Sequence, residues 1–152
     1  MTSLRCMIAV ATLAFTLPAQ AGVNDPEVLI YRVSGVLDDG VANGAATSFH
    51  CTNFSGVNET VRIVIRDNNS TLKSNQPLTI AHLRTVTAST KDTVIYFDVD
   101  MASGAVQQGT AAIAATSVNV TCTAMQVLPQ GVLPQGIALH MTRFSPIAGT
   151  QE

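Results

Sequence analysis

The chain has 152 residues, of which 47% are hydrophobic, 12% charged and 5% aromatic, with no tryptophan and a formal net charge of −2. That is one ordinary domain with enough apolar residues for a core. The charge balance excludes a basic nucleic-acid-binding surface, and the hydrophobicity excludes a disordered chain.

The first 21 residues read as a targeting segment. Arg5 supplies a basic start, Cys6–Leu17 is a twelve-residue apolar run, Pro18 breaks it, and Ala19-Gln20-Ala21 is a small-residue cleavage pattern. Twelve residues fall short of the roughly 20 that a membrane span needs. The expectation is a signal peptide over 1–21, cleaved between Ala21 and Gly22, and no membrane span in the mature chain. Residues 22–27 read as a polar leader, 28–146 as the folded domain and 147–152 as a tail.

Within the domain, Val28–Val36 alternates as a strand and ends in turn formers at Leu37-Asp38-Asp39-Gly40 and Asn43-Gly44. Ala45–Thr52 alternates again, with Thr47, Phe49 and Cys51 on one face and Ser48 and His50 on the other. Thr60–Arg66 puts Val61, Ile63 and Ile65 together. Pro77–His82 and Thr85–Ser89 read as two short strands or one bent one. Thr93–Val99 reads as a strand with Ile95, Phe97 and Val99 aligned. Met101–Ala115, rich in Gly, Ala and Gln, reads as a loop with a helical turn or a weak strand near Ile113. Ser117–Met125 turns Val118, Val120 and Cys122 inward, and Ile137–Phe144 is the last strand. Between these two, Val127-Leu128-Pro129-Gln130-Gly131 is repeated as Val132-Leu133-Pro134-Gln135-Gly136, which reads as an exposed connector because its prolines lack ladder donors.

Seven to eight short strands with turns at regular spacing predict an all-β, immunoglobulin-like antiparallel β-sandwich. In an oxidising compartment Cys51 and Cys122 have only each other to pair with. They lie on the second and the penultimate strands, the positions of an inter-sheet disulfide in such sandwiches. The bond closes a loop of about 70 residues, for which chain entropy gives about 4 kcal/mol. The tryptophan and the tyrosine corner of a true immunoglobulin domain are missing, with Val120 where the tyrosine would stand.

The stretches SFHCTN (48–53), RIVIR (62–66), GTAAIAATSVNVTCTA (109–124) and HMTRFSPIAGTQE (140–152) resemble a group of small exported bacterial proteins of unknown function. The resemblance implies a secreted or periplasmic location and carries over no functional residues.

Chemistry-bearing motifs are sparse. His50, His82 and His140 sit on separate segments without metal-ligand spacing. Asp98 and Asp100 share a strand face and Asp38-Asp39 share a turn, patterns that serve calcium, acid–base work or turn formation. No GxSxG, phosphate loop or dinucleotide fingerprint occurs. N-x-[ST] triplets begin at Asn53, Asn58, Asn68, Asn69 and Asn119. The expectation is a non-enzymatic exported binding or structural protein without catalytic, metal or cofactor residues, its partner an envelope protein or a glycan. The competing expectations are a pilus or adhesin-like subunit, which requires a free strand edge, and a small secreted hydrolase or metal-dependent enzyme.

Overall fold

Alternation of apolar and polar residues gives each strand one face to bury, and two sheets bury those faces against each other. The structure, a computed structural model, describes residues 26–131 and 135–144. The expected signal peptide, its cleavage point, most of the leader and the tail lie outside these residues.

Among the described residues ten strands form: β1 (Val28–Asp38), β2 (Ala46–Asn53), β3 (Glu59–Arg66), β4 (Leu72–Ile80), β5 (Thr85–Ser89), β6 (Asp98–Asp100), β7 (Val106–Ala115), β8 (Val120–Val127), β9 (Gly136–Ala138) and β10 (Met141–Arg143). The first sheet has the order β10-β1-β7-β3-β4 and the second β6-β5-β2-β8-β9. All pairings are antiparallel except β5 with β6. The all-β sandwich is as expected. The strand count is higher because β6, β9 and β10 are three-residue pieces.

The core shows how bulk is matched across strands. In the second sheet Phe49 is fully buried and its register partners on both sides are alanines, Ala88 and Ala124. In the first sheet Ile113 lies between Tyr31 and Ile63, and Ala111 between Val33 and Ile65. The alanines beside Phe49, and Ala111 between Val33 and Ile65, make room for their larger neighbours.

Five expectations are corrected. The Cys51–Cys122 disulfide forms, but it does not join the two sheets. β2 and β8 are neighbours in one sheet, and the two cysteines are direct register partners with Cα atoms 4.1 Å apart, close to a non-hydrogen-bonded antiparallel pair. The inter-sheet disulfide that pointed to an immunoglobulin-like arrangement is therefore absent. Chain order identified which strands carry the cysteines and not which sheet they join.

Met101–Ala115, read as a loop or weak strand, contains the ten-residue strand β7 at the centre of the first sheet. Its alanines have low strand propensity, yet Ala111 and Ala115 are buried between the bulky strands β1 and β3, and that packing overrides propensity. Near its start Gln108 has φ 49°. At Gly109 a Cβ would come within 2.8 Å of the Arg66 carbonyl oxygen, so the close approach of strands there requires glycine.

Thr93–Val99 is not one strand. Residues 90–97 form a strap across the outer face of the second sheet, and only Asp98–Asp100 pairs with β5. The Asp98 carboxylate accepts from the Thr93 amide and hydroxyl (3.4 and 3.0 Å), folding the segment back on itself. The Tyr96 ring meets His50 edge-on at 4.7 Å, and its hydroxyl donates to Met125 Sδ at 3.2 Å. Beneath the strap the hydroxyls of Ser48 and Ser89 lie 2.8 Å apart, both fully buried. Phe97, expected on one strand face with Ile95 and Val99, is fully exposed.

Ile137–Phe144 divides between β9 and β10, which belong to different sheets. The doubled pentapeptide does not stand clear of pairing. Val127 and Gly136 are register partners in the β8–β9 hairpin, and Val127 is buried. The Pro129 carbonyl accepts from the Val94 amide at 2.9 Å, tying the first copy to the strap. Residues 132–134 of the second copy lie outside the described residues.

Candidate functional site

Each chemistry-bearing group of the sequence has a definite place. Asp38 is buried and Asp39 lies at the rim. Lys91 Nζ donates to both, at 3.0 and 2.8 Å, and to the Val41 carbonyl at 2.8 Å. Asp39 also accepts from the amides of Val41 and Ala45. The Lys91 hydrogen bond, reinforced by these amides, lowers its pKa to about 2. Asp100 accepts from the Ala102 amide at 2.7 Å. Both carboxylate pairs thus hold loops in shape.

The histidines stay apart. His50 is half-buried on β2 under Tyr96, with Nδ1 2.9 Å from the Thr87 hydroxyl, and burial pulls its pKa down while Asp98 opposes the shift. His82 lies in the β4–β5 turn, and His140 is exposed between β9 and β10. Among the described residues no three His, Cys, Asp or Glu gather into a group that could hold a metal. No helix among them is long and apolar enough to cross a membrane.

The outer edge of β1 bears on the subunit expectation. β10 pairs with Tyr31–Val33. Beyond it, the Gly35 carbonyl accepts from Gln126 Nε2 at 2.7 Å, and the Thr47 hydroxyl both accepts from the Leu37 amide and donates to its carbonyl, each at 2.9 Å. Side chains of the second sheet thereby occupy backbone groups that an added strand would need. On the far edge, β4 carries Lys73 and Pro77, residues that discourage edge pairing.

Sequence reasoning missed the surface where the structure spends most effort. At one end of the sandwich the β2–β3 loop (54–58), the β4–β5 turn (81–84) and the β7–β8 turn (116–119) converge. Asn53, fully buried at the end of β2, organises them. Its Nδ2 donates to the carbonyls of Val57 and Ile80 (2.6 and 2.8 Å), and its Oδ1 accepts from the Ser55 amide at 2.8 Å. Asn53 therefore reads as a structural asparagine; its Nδ2 has no proton left for the N-x-[ST] chemistry its triplet suggests. Backbone bonds complete the frame. The Leu83 amide donates to the Asn53 carbonyl, the Asn53 amide to the Arg84 carbonyl and the Phe54 amide to the Asn119 carbonyl, at 2.8, 3.1 and 3.0 Å. The Gly56 amide donates to His82 Nδ1 at 3.0 Å.

This frame holds three large apolar side chains out in water: Phe54 is 54% exposed, Val57 63% and Leu83 65%. Leu83 has φ 58°, a left-handed conformation that costs a non-glycine residue about 1–2 kcal/mol. A strained, exposed leucine gains nothing for the core. Beside it lies an open hollow of about 520 Å³ whose lining includes Thr79, His82, Arg84 and Thr85. The available signal in the sequence was a large apolar residue between polar ones, in His82-Leu83-Arg84 and in the turn-forming stretch 53–58. The backbone strain at Leu83 had none.

Comparison with known proteins adds no relative: no family model, curated protein or solved structure matches the chain.

Proposed function

We propose that the protein is a non-catalytic, exported binding module of the bacterial envelope or secretome, and that its contact surface is the loop end bearing Phe54, Val57 and Leu83. The observation that carries the reading is Leu83, held exposed in a strained conformation in a turn bonded to Asn53 and Gly56. Strain that persists because its surroundings enforce it is a pointer to function. Loops positioned by a rigid sandwich are where binding residues concentrate, and exposed apolar clusters mark contact sites. The disulfide and the leader-like first 21 residues support export. The engagement of Asp38, Asp39, Asp98 and Asp100 in loop structure weighs against the hydrolase reading. The occupied β1 edge weighs against a subunit that accepts a donated strand there.

A photo-crosslinking side chain placed at Val57 in the exported protein tests this. Adducts are expected there and not with the same group at Val41, which is 61% exposed at the opposite end. Equal labelling from both positions, or none from Val57, would overturn the reading.

A further inference from the structure

We infer that the loop end docks on an anionic phospholipid surface, an inference that rests on the contact surface proposed above. Two features of the site match the two parts of a phospholipid. Phe54, Val57 and Leu83 are exposed apolar side chains on two bonded loops, and next to Leu83 the residues Arg84, His82, Thr79 and Thr85 line a hollow of about 520 Å³. Apolar side chains that enter the acyl boundary while cationic ones stay at headgroup level are the usual arrangement of an interfacial anchor. Hydroxyls and a guanidinium are the donors that a phosphodiester oxygen accepts from.

Charge decides which surface. Among the described residues of the loops at this end, Arg84 is the exposed ion. The carboxylates there are engaged: Glu59 is 8% exposed and accepts from the Thr116 hydroxyl, and Glu27 is paired with Arg62. The acids collect at the other end, Asp38, Asp39, Asp67, Asp92 and Asp100, against Arg66, Lys73 and Lys91, while Asp98 lies mid-sheet opposite Thr87. Strands of eight residues separate the ends by about 25 Å, roughly three Debye lengths at physiological ionic strength. An anionic surface therefore meets Arg84 and scarcely feels the aspartates. A basic protein partner has no complementary charge to meet here, and a lipid interface supplies both the apolar volume and the anion.

Flotation of the purified protein with vesicles tests this. Vesicles of phosphatidylethanolamine and phosphatidylglycerol at 3:1 should carry the protein up, and phosphatidylcholine vesicles should carry less. Leu83→Asp and Phe54→Asp should each reduce flotation at least tenfold with the disulfide and circular dichroism unchanged. Arg84→Gln should abolish the preference for anionic vesicles. Glycerol phosphate in solution should not release the bound protein, because the apolar contacts are absent from it; full release would reduce the site to an anion pocket and overturn the lipid assignment. Failure to float with either vesicle, or flotation of both aspartate variants at the wild-type level, would also overturn it. In the first case crosslinking from Val57 to a protein would leave the contact surface standing with a different partner, and no crosslinking would remove both.

Discussion

The amide of Leu83 donates to the carbonyl of Asn53 across a gap of thirty positions in the chain, at 2.8 Å. That bond, with the two from Asn53 Nδ2, fixes an exposed leucine in a left-handed conformation at the end of the sandwich. The core does not benefit from this arrangement; a contact surface does.

Replacing the strained residue should therefore stabilise the protein. Glycine adopts φ 58° without a Cβ penalty, and a side chain 65% exposed forfeits little burial. Leu83→Gly is expected to raise unfolding stability by about 0.5–1 kcal/mol while weakening attachment. Denaturant melts measure the first part. A loss above about 1 kcal/mol would mean that Leu83 packs as a core residue.

The disulfide closes a large loop although it lies within one sheet. Cys51→Ala combined with Cys122→Ala should cost about 2–5 kcal/mol, since the loop that includes β3 to β7 becomes unconstrained in the unfolded chain. An unchanged denaturant midpoint would show that the bond contributes nothing.

Acidity should act in two windows. Burial lowers the pKa of His50 below 6.5, so its neutral form is favoured in the fold. Stability from this site is full above pH 6.5 and is lost as pH falls from there through the lowered folded value. Asp39, held at about 2 chiefly by its hydrogen bond with Lys91, contributes stability that is full above about pH 4 and lost as pH falls towards 2. His50→Gln should flatten the first slope of stability against pH and Asp39→Asn the second. Titration melts of both variants with wild-type slopes would contradict the assignments.

The doubled Val-Leu-Pro-Gln-Gly offers a clean deletion. Removing Val132–Gly136 leaves one copy, in which Gly131 can take the place of Gly136 opposite Val127 in the hairpin. Shortening the loop changes closure entropy by well under 1 kcal/mol. The variant should fold with stability within about 1 kcal/mol of the parent, as read by thermal melts. Failure to fold would place the second copy in the core.

What the sequence made legible follows period and chemistry. Alternation in Ala45–Thr52 and Thr60–Arg66 identified both strands and their inward faces, and cysteine count identified the Cys51–Cys122 pair. Sheet membership was not legible, because β2 lies beside β8 through pairing across some seventy residues. β7 was hidden by its alanines, whose burial comes from β1 and β3. Thr93–Val99 matched a strand period, but the Asp98–Thr93 bonds turned it into a strap. The loop end was illegible for a related reason: Asn53, Ile80, Leu83 and Asn119 meet only in three dimensions, and a left-handed φ leaves no trace in residue type when the residue is leucine.

The most direct measurement is the fraction of exported protein that stays with the cell envelope after gentle washing. The wild type should be retained. Phe54→Asp combined with Leu83→Asp should release at least nine-tenths of it, and Val41→Asp, at the other end, should leave retention unchanged. Retention of the double aspartate variant at the wild-type level would contradict the assignment of the loop end as the contact surface.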